Sequence, residues 1–92
     1  MAVKALKIKI TGKVQGVFFR NASREKAWVW NLSGWAKNDA DGGVSIWAEG
    51  REDNLQKFLK WCYNGPEGAK VDEVKAVEQV PNLSFDDFSI IR

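Results

Sequence analysis

The order in which strand and helix patterns follow one another constrains this chain most. Leu6, Ile8 and Ile10 alternate with lysines, which is the period-two pattern of a strand with one buried face. Residues 39–43 contain Asp-Gly and Gly-Gly steps, which favour the positive φ angles of a hairpin turn. The predicted elements are a strand at 6–10, a helix at 19–30, hairpin strands at 34–37 and 44–49, a helix at 52–63, a strand at 71–80 and a short extended segment at 85–91.

This order of strand, helix, strand, strand, helix and strand is that of a split βαβ unit. It predicts an α+β fold, a ferredoxin-like α/β sandwich (βαββαβ) with two helices on one face of an antiparallel sheet. The length suits a single domain spanning residues 1–92. In such a fold, the loop after the first strand and the start of the hairpin turn reach the same end of the sheet, so we expect them to approach each other.

The ends and faces of the two helices can be read from single residues. Asn31 follows the first helix and is expected to take the left-handed conformation that closes a helix end. The second helix carries an apolar stripe of Leu55, Phe58, Leu59 and Cys62. Since Cys62 lies on this stripe, it is predicted to be a small core residue and not a nucleophile.

The residue types limit the chemistry and the partners. The chain has no histidine and one cysteine, so the usual zinc ligand, the usual neutral-pH base and a disulfide framework are absent. We therefore expect no metal site and no cofactor. The net charge of +2 is too mild to indicate nucleic acid, and no apolar stretch is long enough to span a membrane. A cytoplasmic location and a monomeric state are the expectations, and Trp35 and Trp47 are read as core or edge residues and not as a base-stacking platform.

The segment before the first helix is the strongest sign of a ligand site. Residues 12–20 read Gly-Lys-Val-Gln-Gly-Val-Phe-Phe-Arg and lack the Ser, Thr, Asp or Asn that normally caps a helix. Arg20 falls in the first turn, where the helix dipole disfavours an unpaired cation by a few tenths to about 1 kcal/mol. A bound anion would satisfy the amides and the arginine together.

Two motifs resemble signatures of the acylphosphatase family. The first is the run from Gly12 to Arg20, and the second is Gly34-Trp35 followed by Asn38 and then Asp41-Gly42. Similar residues also occur at 48–50 and 65–66, so the resemblance spans nearly the whole chain. The chain departs from the family pattern at Asn31, where a glycine is common, and in Trp28 and Trp30.

The resemblance implies an enzyme that hydrolyses the carboxyl-phosphate bond of small acyl phosphates. It assigns phosphate binding to Arg20 and the positioning of the attacking water to Asn38. It also implies that backbone amides cradle the phosphate, those of Gln15, Gly16, Val17, Phe18 and Phe19. The asparagine amide does not titrate, but it can accept a hydrogen bond from water while donating one to phosphate. Asp39 and Asp41, beside Gly42, are expected to shape the turn and not to form an acid–base pair.

Three alternatives stay open at this point. One is a non-enzymatic phosphate- or phosphometabolite-binding module of the same fold, since fold alone does not decide function. Another is a single-strand RNA binder, although the RNP1 pattern of RNA-recognition domains is absent. The last is a relative of the acylphosphatase-like domain at the start of larger carbamoyl-transfer maturation proteins, against which a chain ending at Arg92 argues.

Overall fold

The computed structural model describes residues 3–91, and it contains two helices and five strands. The elements are β1 (Val3–Lys13), α1 (Phe19–Val29), β2 (Ser33–Asn38), β3 (Val44–Arg51), α2 (Glu52–Cys62), β4 (Lys70–Gln79) and β5 (Phe88–Ile91). Their order matches the predicted one. No helix in the described part of the chain is long and apolar enough to cross a bilayer.

The five strands form one sheet in the order β4-β1-β3-β2-β5. Strands β4, β1, β3 and β2 pair antiparallel with their neighbours, and β5 pairs parallel with β2. Helix α1 packs on β2 and β5, and α2 packs on β1 and β3, so both helices cover the same face. The ferredoxin-like prediction is confirmed, and the terminal extended segment turns the antiparallel sheet into a mixed one.

The core lies between the helices and this face of the sheet. Ile8, Ile10 and Ile46 are fully buried there against Phe19 and Phe58. Burial of these apolar side chains is the main stabilising contribution in a domain of this size. Cys62 is also fully buried, and its burial raises the pKa of the thiol. The prediction of a structural core cysteine is therefore confirmed.

Strand β4 is shorter at its end than the sequence pattern indicates. The sequence predicts a strand over 71–80, but β4 ends at Gln79 and Val80 is 86% exposed. The chain must leave β4 at this point because β4 and β5 form opposite edges of the sheet.

Opposite β4, strand β1 is irregular between Thr11 and Gly12, and a Cβ on Gly12 would lie 2.2 Å from the carbonyl oxygen of Lys70. Only glycine fits at that position.

The open face of the sheet carries two tryptophans and one buried carboxylate. Trp35 and Trp47 pair directly across β2 and β3, and both are half-buried on this face, outside the core. Glu49 is only 3% exposed, and its carboxylate accepts hydrogen bonds from the Trp47 indole and from the backbone amides of Asn82 and Leu83. These bonds hold the crossing segment between β4 and β5 against the sheet.

The first helix ends one residue earlier than predicted, at Val29, and Trp30 is the C-cap. Asn31 has φ of 58°, so its predicted left-handed conformation is confirmed. We expect Asn31→Gly to stabilise the fold by a few tenths of a kcal/mol, because glycine adopts this conformation without a steric penalty. The free energy of unfolding in urea tests this, and a clear loss of stability would contradict it.

Candidate active site

The loop between β1 and α1 is held by its apolar side chains. Val14 and Phe19 are almost fully buried, and Val17 packs against the core. Between these anchors, Gly16 and Phe18 take left-handed conformations, with φ of 75° and 59°. The loop therefore curves tightly into the first turn of α1.

The start of α1 has no side-chain cap. Phe18 is the N-cap residue and makes no side-chain cap hydrogen bond, and the first turn holds no acidic residue. The uncapped start that the sequence predicts is confirmed. Amides at such a helix end and the helix dipole both favour a bound anion.

Arg20 occupies the first turn of α1, as predicted, and it is half-buried. Its Nη1 atom donates a hydrogen bond of 3.3 Å to the carbonyl oxygen of Ile91 in β5. This bond uses one of the five N–H donors of the guanidinium group. The arginine is thus held at the uncapped helix start, and it keeps further donor capacity.

Arg20 and Asn38 line the same cavity of about 300 Å³. The cavity brings together most of the residues that the sequence predicts, namely Gly16, Phe18, Phe19, Arg20 and Asn38. It is also lined by Val14 and Asn21, which sequence reasoning missed. Asn21 follows Arg20 in the first turn of α1, and that position is the signal that could have identified it. Gln15 and Val17 belong to the loop but are not lining residues, and the role of all five amides of residues 15–19 in a cradle stays a prediction.

The side chain of Gln15 ties the loop to the hairpin that carries Asn38. Its Nε2 atom donates to the backbone oxygen of Asp39 at 2.8 Å and to that of Gly43 at 2.9 Å. The expected approach of the two segments is therefore confirmed. Sequence reasoning missed this bridge because both acceptors are backbone carbonyls, which leave no mark in residue identity.

The hairpin turn is fixed by its two aspartates. The Asp41 carboxylate accepts from the amide of Gly43 at 2.9 Å, and Lys9 donates to Asp39 at 2.5 Å and to Asp41 at 3.0 Å. The Ser45 hydroxyl also donates to Asp39. The prediction that these aspartates shape the turn is confirmed.

The charges in this network stabilise one another. Burial acts to raise the pKa of Asp39, but the hydrogen bonds from Lys9 and Ser45 outweigh it and lower that pKa. The hydrogen bonds that Lys9 donates to Asp39 and to Asp41 raise the pKa of Lys9, and the bond to Asp39 has the larger effect. Asp39 is therefore ionised at neutral pH and is unsuited to act as a general acid there.

We expect Gln15→Ala to lower kcat/KM by roughly tenfold, because it removes both hydrogen bonds that set the distance between loop and hairpin. Gln15→Glu should be at least as harmful, since a carboxylate would face two carbonyl oxygens. Rates measured beside thermal unfolding curves test this. Wild-type kcat/KM in a folded Gln15→Ala protein would show that the bridge does not position the site.

The chain is similar, in sequence and in structure, to one family of known proteins. Residues 6–90 match the family model described as Acylphosphatase. The chain is 47% identical to an acylphosphatase of Colwellia psychrerythraea, over 88% of this chain and 90% of that protein. It is 42% identical to an acylphosphatase of Marinobacter nauticus, over 96% of both chains. The crystal structure of acylphosphatase from Bacillus subtilis superimposes with a TM-score of 0.93 at 37% identity, over 97% of this chain and 99% of that one.

A match over most of the chain at these identities defines the class of protein. The chain belongs to the acylphosphatase family. It is an enzyme that hydrolyses acyl phosphates, and the alternative of a module that only binds phosphate is not favoured. Within residues 3–91, no group of three histidine, cysteine, aspartate or glutamate side chains is arranged to hold a metal ion.

Proposed function

We propose that the cavity at the start of α1 binds the phosphoryl group of a small acyl phosphate and that Asn38 positions the water that attacks it. The single observation that carries this proposal is that Arg20 and Asn38 line one cavity at a helix start without a side-chain cap. The amides of residues 15–19 and the Arg20 guanidinium take the phosphoryl oxygens. The resemblance and the family match over residues 6–90 support these roles.

The binding step follows from the chemistry of the groups present. Backbone N–H groups in a concave loop bind phosphate oxygens with no need for a particular side chain. The guanidinium of Arg20 adds a fork of donors matched to two oxygens. A loose, metaphosphate-like transition state places charge on those same oxygens, so the groups that bind phosphate also lower the barrier.

The hydrolysis step needs little activation of the water. The Asn38 carbonyl accepts a hydrogen bond from the water, and its NH₂ group donates to the phosphoryl group. The water oxygen bonds to phosphorus, and the bond between phosphorus and the acyl oxygen breaks, releasing a carboxylate. The water proton passes to a phosphoryl oxygen. Because the carboxylate is a good leaving group, we propose that the reaction proceeds without a metal ion or a histidine base.

The domain organisation, oligomeric state, location and partners of the protein are also proposals. We propose that residues 1–92 act as a single domain, as a monomer in the cytoplasm, and that the chain binds neither nucleic acid nor membranes. The low net charge of +2 supports the absence of a nucleic-acid partner. Sedimentation with and without a single-stranded RNA tests both the monomeric state and the absence of a nucleic-acid partner. Co-sedimentation with the RNA would overturn the proposal that the chain binds no nucleic acid.

The function is tested by the release of inorganic phosphate from benzoyl phosphate in the presence of a chelator. We expect hydrolysis by the unmutated enzyme and a fall in kcat of roughly 100-fold in Asn38→Ala, the effect of removing one transition-state hydrogen bond. The control variant is Asn64→Ala, because Asn64 is an exposed asparagine that follows α2. A folded Asn38→Ala protein with wild-type kcat would reject the role of Asn38, and activity lost on chelation would reject the metal-free reaction.

A further inference from the structure

Asn38 is the last residue of β2, and the strand register sets the face to which it points. It lies directly opposite Val44 of β3, and residues opposite each other on antiparallel strands share a face of the sheet. Val44 is fully buried in the core, so Asn38 points to the helix face, where the cavity lies. Because the Asn38 side chain is itself exposed, its direction depends on the backbone where β2 passes into the turn.

Asp39, the next residue, is anchored on the opposite face of the sheet. Its carboxylate accepts a hydrogen bond from the Ser45 hydroxyl and one of 2.5 Å from Lys9 Nζ. Lys9 lies directly opposite Ser45 and alternates with buried isoleucines along β1, so both donors are on the open face. The Asp39 side chain is only 17% exposed. Since side chains alternate between faces along a strand, holding Asp39 on the open face holds Asn38 on the helix face.

The backbone groups of Asp39 are held as well. Its amide donates to the carbonyl oxygen of Gly43 at 2.9 Å. Its carbonyl oxygen accepts from the Gly42 amide at 3.2 Å and from Gln15 Nε2 at 2.8 Å. The Asp39 amide belongs to the peptide group that joins it to Asn38, so these contacts fix the backbone beside the Asn38 side chain.

Lys9 supplies the positive charge in this arrangement. Its Nζ atom also lies 3.0 Å from the Asp41 carboxylate, so one ammonium group stands between two carboxylates of the same turn. Without the ammonium group, the two negative charges would repel each other. Asp39 would then keep the neutral Ser45 hydroxyl as its side-chain donor within residues 3–91. We therefore expect the turn to loosen at Asp39 when Lys9 loses its charge.

We infer that Lys9 and Asp39 are positioning residues for hydrolysis: from the open face of the sheet, their ion pair aims the Asn38 side chain into the cavity. This inference rests on the proposed function, because it requires Asn38 to orient the attacking water. The groups proposed to bind phosphate lie on the loop before α1 and on α1 itself. Loss of the ion pair should therefore slow the reaction and leave phosphate binding unchanged.

The test measures kcat for benzoyl phosphate and the inhibition constant of inorganic phosphate. Lys9→Met keeps the apolar stem without the charge, and Asp39→Asn keeps the shape without the charge. We expect kcat to fall roughly 10- to 30-fold in Asp39→Ala and roughly 3- to 10-fold in Asp39→Asn and Lys9→Met, because small misplacements of reacting groups lower rates strongly. The inhibition constant should stay within about twofold of wild type in all three, since the phosphate-binding groups are untouched.

Lys4→Met is the matched control for the loss of a lysine from β1. Its ion pairs with Glu52 and Glu78 are both 3.8 Å long and lie on the surface, so they contribute little. We expect wild-type kcat in Lys4→Met. An equal fall in kcat in Lys4→Met and Lys9→Met would overturn the inference.

The double variant Asn38→Ala/Asp39→Ala separates positioning from a general structural role. If Asp39 acts through Asn38, its loss slows Asn38→Ala no further, whereas a structural defect slows both backgrounds equally. If Asp39→Ala does not fold, Asp39→Asn takes its place in both backgrounds. Wild-type kcat in folded Lys9→Met and Asp39→Asn, or an equal loss in the Asn38→Ala background, would overturn the inference. Wild-type kcat in Asn38→Ala would instead overturn the proposed function of Asn38.

Discussion

Arg20→Ala is expected to lower kcat/KM for an acyl phosphate by roughly 100- to 1000-fold, equal to about 3 to 4 kcal/mol of transition-state stabilisation. The arginine lines the cavity beside the uncapped start of α1 and presents a donor fork to the phosphoryl oxygens. Its removal takes away the one positively charged side chain that lines the cavity among residues 3–91. Steady-state phosphate release from acetyl phosphate and from benzoyl phosphate measures the loss.

The stability of the same variant separates catalysis from folding. Arg20→Ala loses one exposed bond of 3.3 Å to Ile91 and relieves a cation at a helix start, so its melting temperature should change little. Arg51→Ala is the control, because Arg51 is exposed and its ion pair with Asp53 lies on the surface. Wild-type kcat/KM in folded Arg20→Ala would contradict the proposed role, as would an equal loss in Arg51→Ala.

Glu49→Ala is expected to destabilise the fold by about 3 to 4 kcal/mol. The carboxylate of Glu49 accepts bonds of 2.6 Å from the Trp47 indole, 2.7 Å from the Asn82 amide and 3.0 Å from the Leu83 amide. Its loss leaves three donors without an acceptor and leaves a void where the side chain was buried, each at an unfavourable free energy. Urea unfolding at neutral pH measures the effect. A loss below about 1 kcal/mol would show that water replaces the carboxylate.

The same carboxylate makes stability depend on pH. Burial acts to raise the pKa of Glu49, but the hydrogen bonds from Leu83, Trp47 and Asn82 outweigh it and lower that pKa below the ordinary value of a glutamate. The ionised carboxylate of Glu49 therefore stabilises the fold fully above its unfolded-state pKa. This stabilisation declines as pH falls through the folded-state pKa. Glu49→Gln lacks this titration, so the difference in unfolding free energy between wild type and Glu49→Gln should shrink below about pH 4.5. A constant difference down to pH 2 would contradict the assignment.

The sequence predicts most of the fold because the apolar periods of 2 and 3.6 are visible in it. The burial of Ile8, Ile10 and Phe58 follows directly from those patterns. The pairing of β5 does not, since a short extended segment carries no mark of its partner or its direction. Strand β5 pairs parallel with β2 because the chain crosses the sheet after Gln79, and Glu49 on a distant strand holds that crossing.

The sequence likewise predicts some features of the site and not others. The uncapped helix start and the position of Arg20 follow from local sequence, whereas the pairing of Arg20 with Asn38 came from the resemblance to a family. The sequence does not predict the Gln15 bridge, because its acceptors are the backbone oxygens of Asp39 and Gly43. Phe18 was predicted only through its amide, and its exposed side chain becomes apparent only in three dimensions.

Titration of the ¹⁵N-labelled enzyme with inorganic phosphate, followed by amide chemical shifts, tests the central claim most directly. The account predicts that the largest shifts fall on the backbone amides of residues 15–20 and on the side-chain amide of Asn38, and that Arg20→Ala weakens the binding. Of these residues, Gly16, Phe18, Phe19, Arg20 and Asn38 line the cavity at the start of α1. Saturable shifts centred elsewhere in the fold, or unchanged affinity in Arg20→Ala, would contradict it.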